Sequence, residues 1–292
     1  MTEAKRVDPF PMPQTSWLDW LHWPAWRRTG WLTWLSGLVV VIILLAVLFP
    51  SLLATHEPLE LIVKDRLKPP STVHWFGTDG AGRDIYSRMV YGARYSIGMS
   101  LVIVLSAAAI GTLWGGISGF AGGRVDQIMM RIVDIFLAFP YFILALAVAS
   151  ALGRGMTSAV LALVLVWWPG YARMIRGQVL SIKKDLFVEA ARAIGLSSPR
   201  IILRHILPQT TNGLNARITL DLGYVLLALT GLSFLGLGAQ NPTPEWGVMV
   251  ADSRLFIFRA WWYGVFPGLV IFFTVLAFMT FGDTFVERQF RR

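Results

Sequence analysis

The side chain best placed for chemistry with another molecule in this 292-residue chain is the Glu189 carboxylate, set in the run EAARAIGLSSPRIILRHILP. Ala190 and Ala191 behind it leave a shallow, smooth helix surface that can enter a groove on a second protein, with Glu189 accepting charge-assisted hydrogen bonds from that protein. Gly195 permits a sharp turn or left-handed cap, so two helical pieces can meet at a set angle. Ser197-Ser198-Pro199 reads as an N-cap with a first-turn proline, opening a second helix, RIILRHIL, that ends at Leu207 and that Pro208 closes. Ile182, Leu186, Ala190 and Ile194, spaced by four, predict one amphipathic helix through the first half. This is the chemistry of docking. Reaction chemistry finds little support: there is no Gly-Lys dipeptide, hence no G-x4-G-K-[ST] phosphate loop, and neither a Cys/His cluster nor a nucleophile elbow is legible.

The elements that must hold this cassette lie on either side of it and are apolar. The chain is 55% hydrophobic and only 15% charged, with a mean hydropathy of +0.59, whereas soluble domains carry about 25% charged residues. Uncharged stretches cover 29–55, 95–123, 135–153, 155–172, 222–244 and 260–282. About 20 helical residues cross a hydrocarbon core of ~30 Å, so these predict six transmembrane helices and an all-α membrane protein. The fourth, which contains Trp167-Trp168-Pro169, is expected to run on past Pro169 towards Arg173 and Arg176. The first run starts too late and is too long for a cleaved signal peptide, so it reads as a retained anchor.

Orientation follows from the basic residues. With both termini on one side, the N-tail, the 121–134 turn, the 173–217 loop and the C-tail share 17 of the 26 Lys and Arg, and the opposite side has nine. The positive-inside rule then puts both termini and the cassette in the cytoplasm. It also accounts for the net charge of +9 without a nucleic-acid partner. Trp17, Trp20, Trp23 and Trp26, with Arg27 and Arg28 behind them, predict an interfacial helix on the lipid bilayer within a tail of residues 1–30.

Between the first and second runs, 51–94 forms a long outer loop with a short helix expected from about Arg83, where Arg83 and Asp84 read as part of a capped, solvated element. Gly111, Gly115, Gly119 and Gly123 repeat every four residues and predict a helix face that a neighbouring helix can approach closely; Gly264 and Gly268 read the same way. Ionisable residues inside the runs are few. Arg131 with Asp134 and Arg217 with Asp221 have helix-pair spacing and read as self-neutralising structural pairs, and Asp283 sits at a cytoplasmic end. The rival to a docked membrane subunit is a self-sufficient channel or ion-coupled carrier, but midplane charges and internal inverted repeats, its usual marks, are not evident.

The spacing E-A-A-x3-G followed by L-P resembles the cytoplasmic loop of ATP-binding-cassette importer permeases. FGTDGAGRDIYSRMVYGAR, GGRVDQIMMRIVDIFLAFP, LSFLGLGAQNPTPEWG and FPGLVIFFTVLAFMTFGD resemble the oligopeptide/dipeptide/nickel group, and within it the C-type member of the paired permeases. His205 stands where the general importer cassette has Ile, and GDTFVERQFRR departs from the group's common ending. The resemblance implies a type I importer-permease (MetI-like) bundle in a bacterial inner membrane. Its parts would be a cytoplasmic tail at 1–30, a first helix at 31–50, a periplasmic loop at 51–94, a five-helix core at 95–285 with a coupling loop at about 181–209, and a tail at 286–292. It implies a second homologous permease, two ATP-binding subunits or domains that hold ATP and Mg, and an extracytoplasmic solute-binding protein. This chain would bind no cofactor itself. The implied solutes are peptides, with nickel, opines or glutathione-like molecules as alternatives. Reporter fusions at residues 65, 190 and 250 test the topology: 190 should report inside and the other two outside, and an outside signal from 190 would reverse the orientation.

Overall fold

The computed structural model describes residues 31–290, which form helices, turns and loops with no strand among the described residues. The Trp17–Trp26 stretch lies outside them, and Asp283 lies outside the described side chains. α1 (Trp31–Leu48) runs through the first apolar stretch and a single helical turn, α2 (Pro50–Leu53), closes it. After the outer loop, α3 (Ile85–Ala121) is a single helix of 37 residues, about 55 Å long. It starts a full ten residues before the apolar run because Asp84 caps it, accepting the Ser87 N–H at 2.8 Å. The short loop helix expected from Arg83 is therefore the first part of α3, which carries the outer loop directly into the membrane.

The 135–153 run departs from its expected form. It is divided between α4 (Gly123–Leu137) and α5 (Tyr141–Leu152), bent by 87° at the break around Pro140. The physical reason is the proline, which disfavours helical backbone at Phe139 and supplies no N–H to continue the ladder. α6 (Met156–Ile182) runs straight through Pro169, whose ring is buried among neighbouring helices that stabilise the interrupted turn. α7 (Leu186–Ala193) and α8 (Ser198–Ile201) form the cassette and lead through a wide turn into α9 (Leu207–Phe234). α10 (Trp246–Ser253) and α11 (Trp261–Phe290) complete the described chain. Four helices, α3, α6, α9 and α11, are long and apolar enough to cross a membrane, and the bent α4–α5 pair makes five if it is one span. α1 is an apolar helix of 18 residues, about 27 Å in length.

The core is built around the contact of α3 with α6. A Cβ at Gly111 would lie 2.6 Å from the Trp168 carbonyl oxygen, and one at Gly115 would lie 2.3 Å from that of Ala172. At Gly119 it would meet the Arg176 carbonyl oxygen at 3.0 Å. The two backbones touch along three turns. Gly123 does not share this face: it begins α4 at φ +55° with open space around it, because α3 has already ended. On the last helix Gly264 packs on Ser253, while Gly268 faces open space. Around the α3–α6 seam, Val104, Ala145, Leu163 and Leu229 join α3, α5, α6 and α9 in one buried cluster. A second cluster, with Ile85, Trp246 and Tyr263, joins α3, α10 and α11 beneath the outer loop.

Gly115→Ala should destabilise the permease by about 1–3 kcal/mol, since its methyl group can fit only by separating two backbones. Gly268→Ala should be near neutral. Thermal unfolding of the two variants in one detergent checks the contrast, and equal midpoints would show that the seam has slack.

Candidate functional site

α6 ends at Ile182 and a three-residue turn, Lys183–Asp185, separates it from α7, so the single amphipathic helix expected across this region is two helices. The turn resets the helical phase. Val188 and Ala191 are the buried face of α7, packing with Ile201 and Ile206 against Ile175 and Val179 of α6. Leu186 and Ile194 are 83% and 77% exposed, and Glu189 and Ala190 are exposed beside them. The two alanines therefore have different surroundings: Ala190 belongs to the outer surface, and Ala191 belongs to the inner one. Among the described residues the Glu189 carboxylate makes no ion pair or side-chain hydrogen bond.

Gly195 adopts φ +82° with open space where a Cβ would lie, so backbone conformation alone favours glycine there. Its N–H donates to the Arg192 carbonyl at 2.9 Å, and the Leu196 N–H donates to that of Ala191 at 3.1 Å. This pair of bonds is a Schellman cap, and Leu196 packs inward as the cap requires. Pro199 occupies the first turn of α8, though the Ser197 side chain makes no capping bond. Pro208 has a different place from the expected one. It lies in the first turn of α9, after residues 202–206 widen into a π turn in which the Leu207 N–H reaches the Ile202 carbonyl. A normal helix would bring the proline ring against the carbonyl four residues back, and the wider turn accommodates it. Leu207 is half-buried against the same cluster.

Below the cassette lies a polar clamp that residue spacing did not reveal. Arg176 of α6 holds Asp126 of α4 through two bonds of 2.6 and 2.5 Å, Ser118 of α3 donates to the same carboxylate, and Lys183 donates to the Gly119 carbonyl at 2.8 Å. Arg192 of α7 lies over the Phe120 ring at 5.2 Å. Asp126 and Arg176 are 50 residues apart, so only the packing of α4 on α6 brings them together. The expected Arg131–Asp134 pair is replaced by one between helices: Asp134 accepts from Arg173 at 2.5 Å. Arg217 and Asp221 do pair, at 2.9 Å.

The outer loop holds another group that the sequence spacing hid. His56, His74 and Asp84 bring one potential ligand atom each within 4.8 Å of one another. Asp84 already accepts the Ser87 N–H and lies 2.9 Å from His74 Nδ1, so capping of α3 accounts for the arrangement. Nearby, Asp79 takes the Arg83 side chain at 2.7 Å. The Lys68 ammonium, hydrogen-bonded to Asp65, holds the Asp65 carboxyl below the usual range.

The fold is thus a bundle of long apolar helices with a short helix–turn–helix set between α6 and α9. Residues 111–292 match the family described as the binding-protein-dependent transport system inner membrane component, and the chain belongs to that family. It is 44% identical over 245 residues to a probable D,D-dipeptide transport system permease protein of Escherichia coli strain K12, covering 84% of this chain and 82% of the relative. It is 42% identical to a dipeptide transport system permease protein of Alkalihalophilus pseudofirmus, covering 82% and 79%. A glutathione transport system permease protein of Escherichia coli O6:K15:H31 is 40% identical, with 84% and 82% covered. The fold is shared with the inward-facing MetNI methionine ABC transporter, with a TM-score of 0.57 at 20% identity, covering 68% of this chain and 95% of that one. The chain is thus an inner-membrane ABC importer permease of the oligopeptide/dipeptide type, a transport subunit rather than an enzyme. A self-sufficient channel or ion-coupled carrier is not the class this family defines.

The two faces of α7 should respond differently to substitution. Val188→Ala, which empties a buried site, should cost about 1–3 kcal/mol, whereas Leu186→Ser and Ile194→Ser should leave the stability of the isolated permease nearly unchanged. Thermal unfolding of purified variants checks this, and equal losses on both faces would contradict the burial pattern.

Proposed function

We propose that this chain is one half of a translocation path for small peptides, crossing the inner membrane six times with both termini in the cytoplasm. α1 and the bent α4–α5 pair count as spans in this reading. A second, homologous permease completes the path, two ATP-binding subunits or domains drive it, and an extracytoplasmic binding protein delivers the solute. The peptide class is supported by the names of the relatives, which are D,D-dipeptide, dipeptide and glutathione permeases.

The observation that carries the coupling mechanism is the two-sided character of α7. Its inner face is fixed to α6 through Val188 and Ala191, and its outer face offers Leu186, Ala190 and Ile194 with the Glu189 carboxylate beside them. An ATPase groove that receives this outer face displaces α6 and α9 with it, because the cassette joins them without a long flexible segment. ATP-driven closure of the two ATPases then switches the paired permeases between two discrete packings. Leu207 and Pro208 serve at the α9 end of the same lever, and ATP and Mg stay on the ATPases.

Gly195→Pro and Glu189→Ala are the direct tests. Proline cannot adopt φ +82°, and loss of the carboxylate removes bonds worth about 1.5–3 kcal/mol when made to a charged partner. In proteoliposomes holding the assembled importer, both variants should insert yet lose peptide uptake and the stimulation of ATP hydrolysis by loaded binding protein. Wild-type uptake by both would remove the cassette from the mechanism.

A further inference from the structure

The Arg217–Asp221 pair is unsymmetrical. The Asp221 side chain is 1% exposed and the Arg217 side chain 49%. Asp221 Oδ2 takes the Arg217 Nε–H at 2.9 Å. The outer nitrogens of the guanidinium are directed elsewhere, with Nη2 passing above Gly170, where even an added Cβ would stand 3.9 Å away. The pair thus buries its carboxylate and displays its cation.

What it faces is a pocket of about 370 Å³ between α5, α6 and α9, with Tyr141, Trp167 and Tyr224 among its walls. Tyr141 and Trp167 meet edge to face at 5.1 Å. The pocket lies beside the α4–α5 bend, since Leu137 before the break and Tyr141 after it both line it. Arg217 and Asp221 lie on α9 immediately before the uncharged run 222–244. A half-exposed guanidinium beside an apolar run is costly against lipid, and such groups face a bundle interior or water. The charged residues lining the pocket are Arg217 and Asp221, whose carboxylate Arg217 pairs.

We propose that Arg217 is an anion-contact residue on the solute path, with Asp221 as its positioning residue, and that it takes the carboxylate of a passing small peptide. The planar fork of a guanidinium held at Nε leaves its outer edge free for paired hydrogen bonds to a carboxylate. The aromatic walls suit the remainder of a di- or tripeptide. This inference rests on the peptide-permease reading given above and adds the residue that recognises the solute's charge.

The test uses the absence of cysteine from this chain. Tyr224→Cys places one thiol in the pocket of the assembled importer in lipid nanodiscs, and labelling is followed on this 32.6 kDa chain. The probes are sulfonatoethyl and trimethylammonioethyl methanethiosulfonate, anionic and cationic reagents of similar size. Relative to free cysteine, the anionic reagent should be favoured about tenfold with Arg217 present, and the preference should fall to within about twofold in Arg217→Gln/Asp221→Asn. That double variant leaves no buried carboxylate unpaired, and Arg217→Lys should retain part of the preference. Absence of labelling by either reagent, or a preference unchanged in the double variant, would overturn the proposal. Uptake of dialanine by the same importer keeps the two readings separate. Charge preference without dialanine uptake by wild type would leave the anion contact standing and count against the peptide reading. Dialanine uptake without charge preference would do the reverse.

Discussion

The contact of two helix backbones along α3 and α6 is the constraint on which the rest of the molecule depends. In a bilayer, apolar side chains gain little by leaving lipid for one another, so helices hold together through close packing and hydrogen bonds. Gly111, Gly115 and Gly119 permit an approach at which any side chain would collide with the carbonyl oxygens of Trp168, Ala172 or Arg176. That approach brings Arg176 to Asp126 and Lys183 to the Gly119 carbonyl at the end of the seam. The seam therefore sets where α6 ends, and where α6 ends sets where α7 can lie.

The cassette combines a rigid interior with an open exterior. A Schellman cap at Gly195, a first-turn proline at Pro199 and a π turn before Pro208 determine its backbone almost residue by residue. Its apolar inner face is satisfied by α6, so folding of the permease does not require the outer face to be covered. Leu186 and Ile194 can stay exposed for that reason. The bend at Pro140 does similar work within the membrane: it interrupts a continuous apolar run and makes room for a pocket that a straight helix would fill.

Much of this was legible in the sequence where a single period or composition governs a segment. The uncharged runs located α3, α6 and α11, and α6 runs on past Pro169 as expected, whereas α9 (Leu207–Phe234) overlaps only the first part of the 222–244 run. Glycine spacing identified the seam as far as Gly119 and overran it at Gly123, because periodicity carries no mark of where a helix stops. The same weakness misplaced the buried face of α7. Ile182 and Leu186 are four apart in sequence, but the Lys183–Asp185 turn lies between them. Ion pairs showed the limit most clearly. Arg217 and Asp221 share one helix and were readable, whereas Asp134 with Arg173 and Asp126 with Arg176 join residues from separate helices. Pro140 was a readable signal of the bend that the apolar composition around it outweighed.

The three-residue junction between α6 and α7 has a thermodynamic meaning beyond its geometry. With so little slack, the cassette and the two spanning helices share one set of conformational populations. Linkage between binding equilibria is reciprocal: a ligand that favours one arrangement from the outer side raises the affinity of whatever prefers that arrangement at the cassette, by the same factor. The free energy of the chain's own packing can thus report at one end whether a ligand is held at the other.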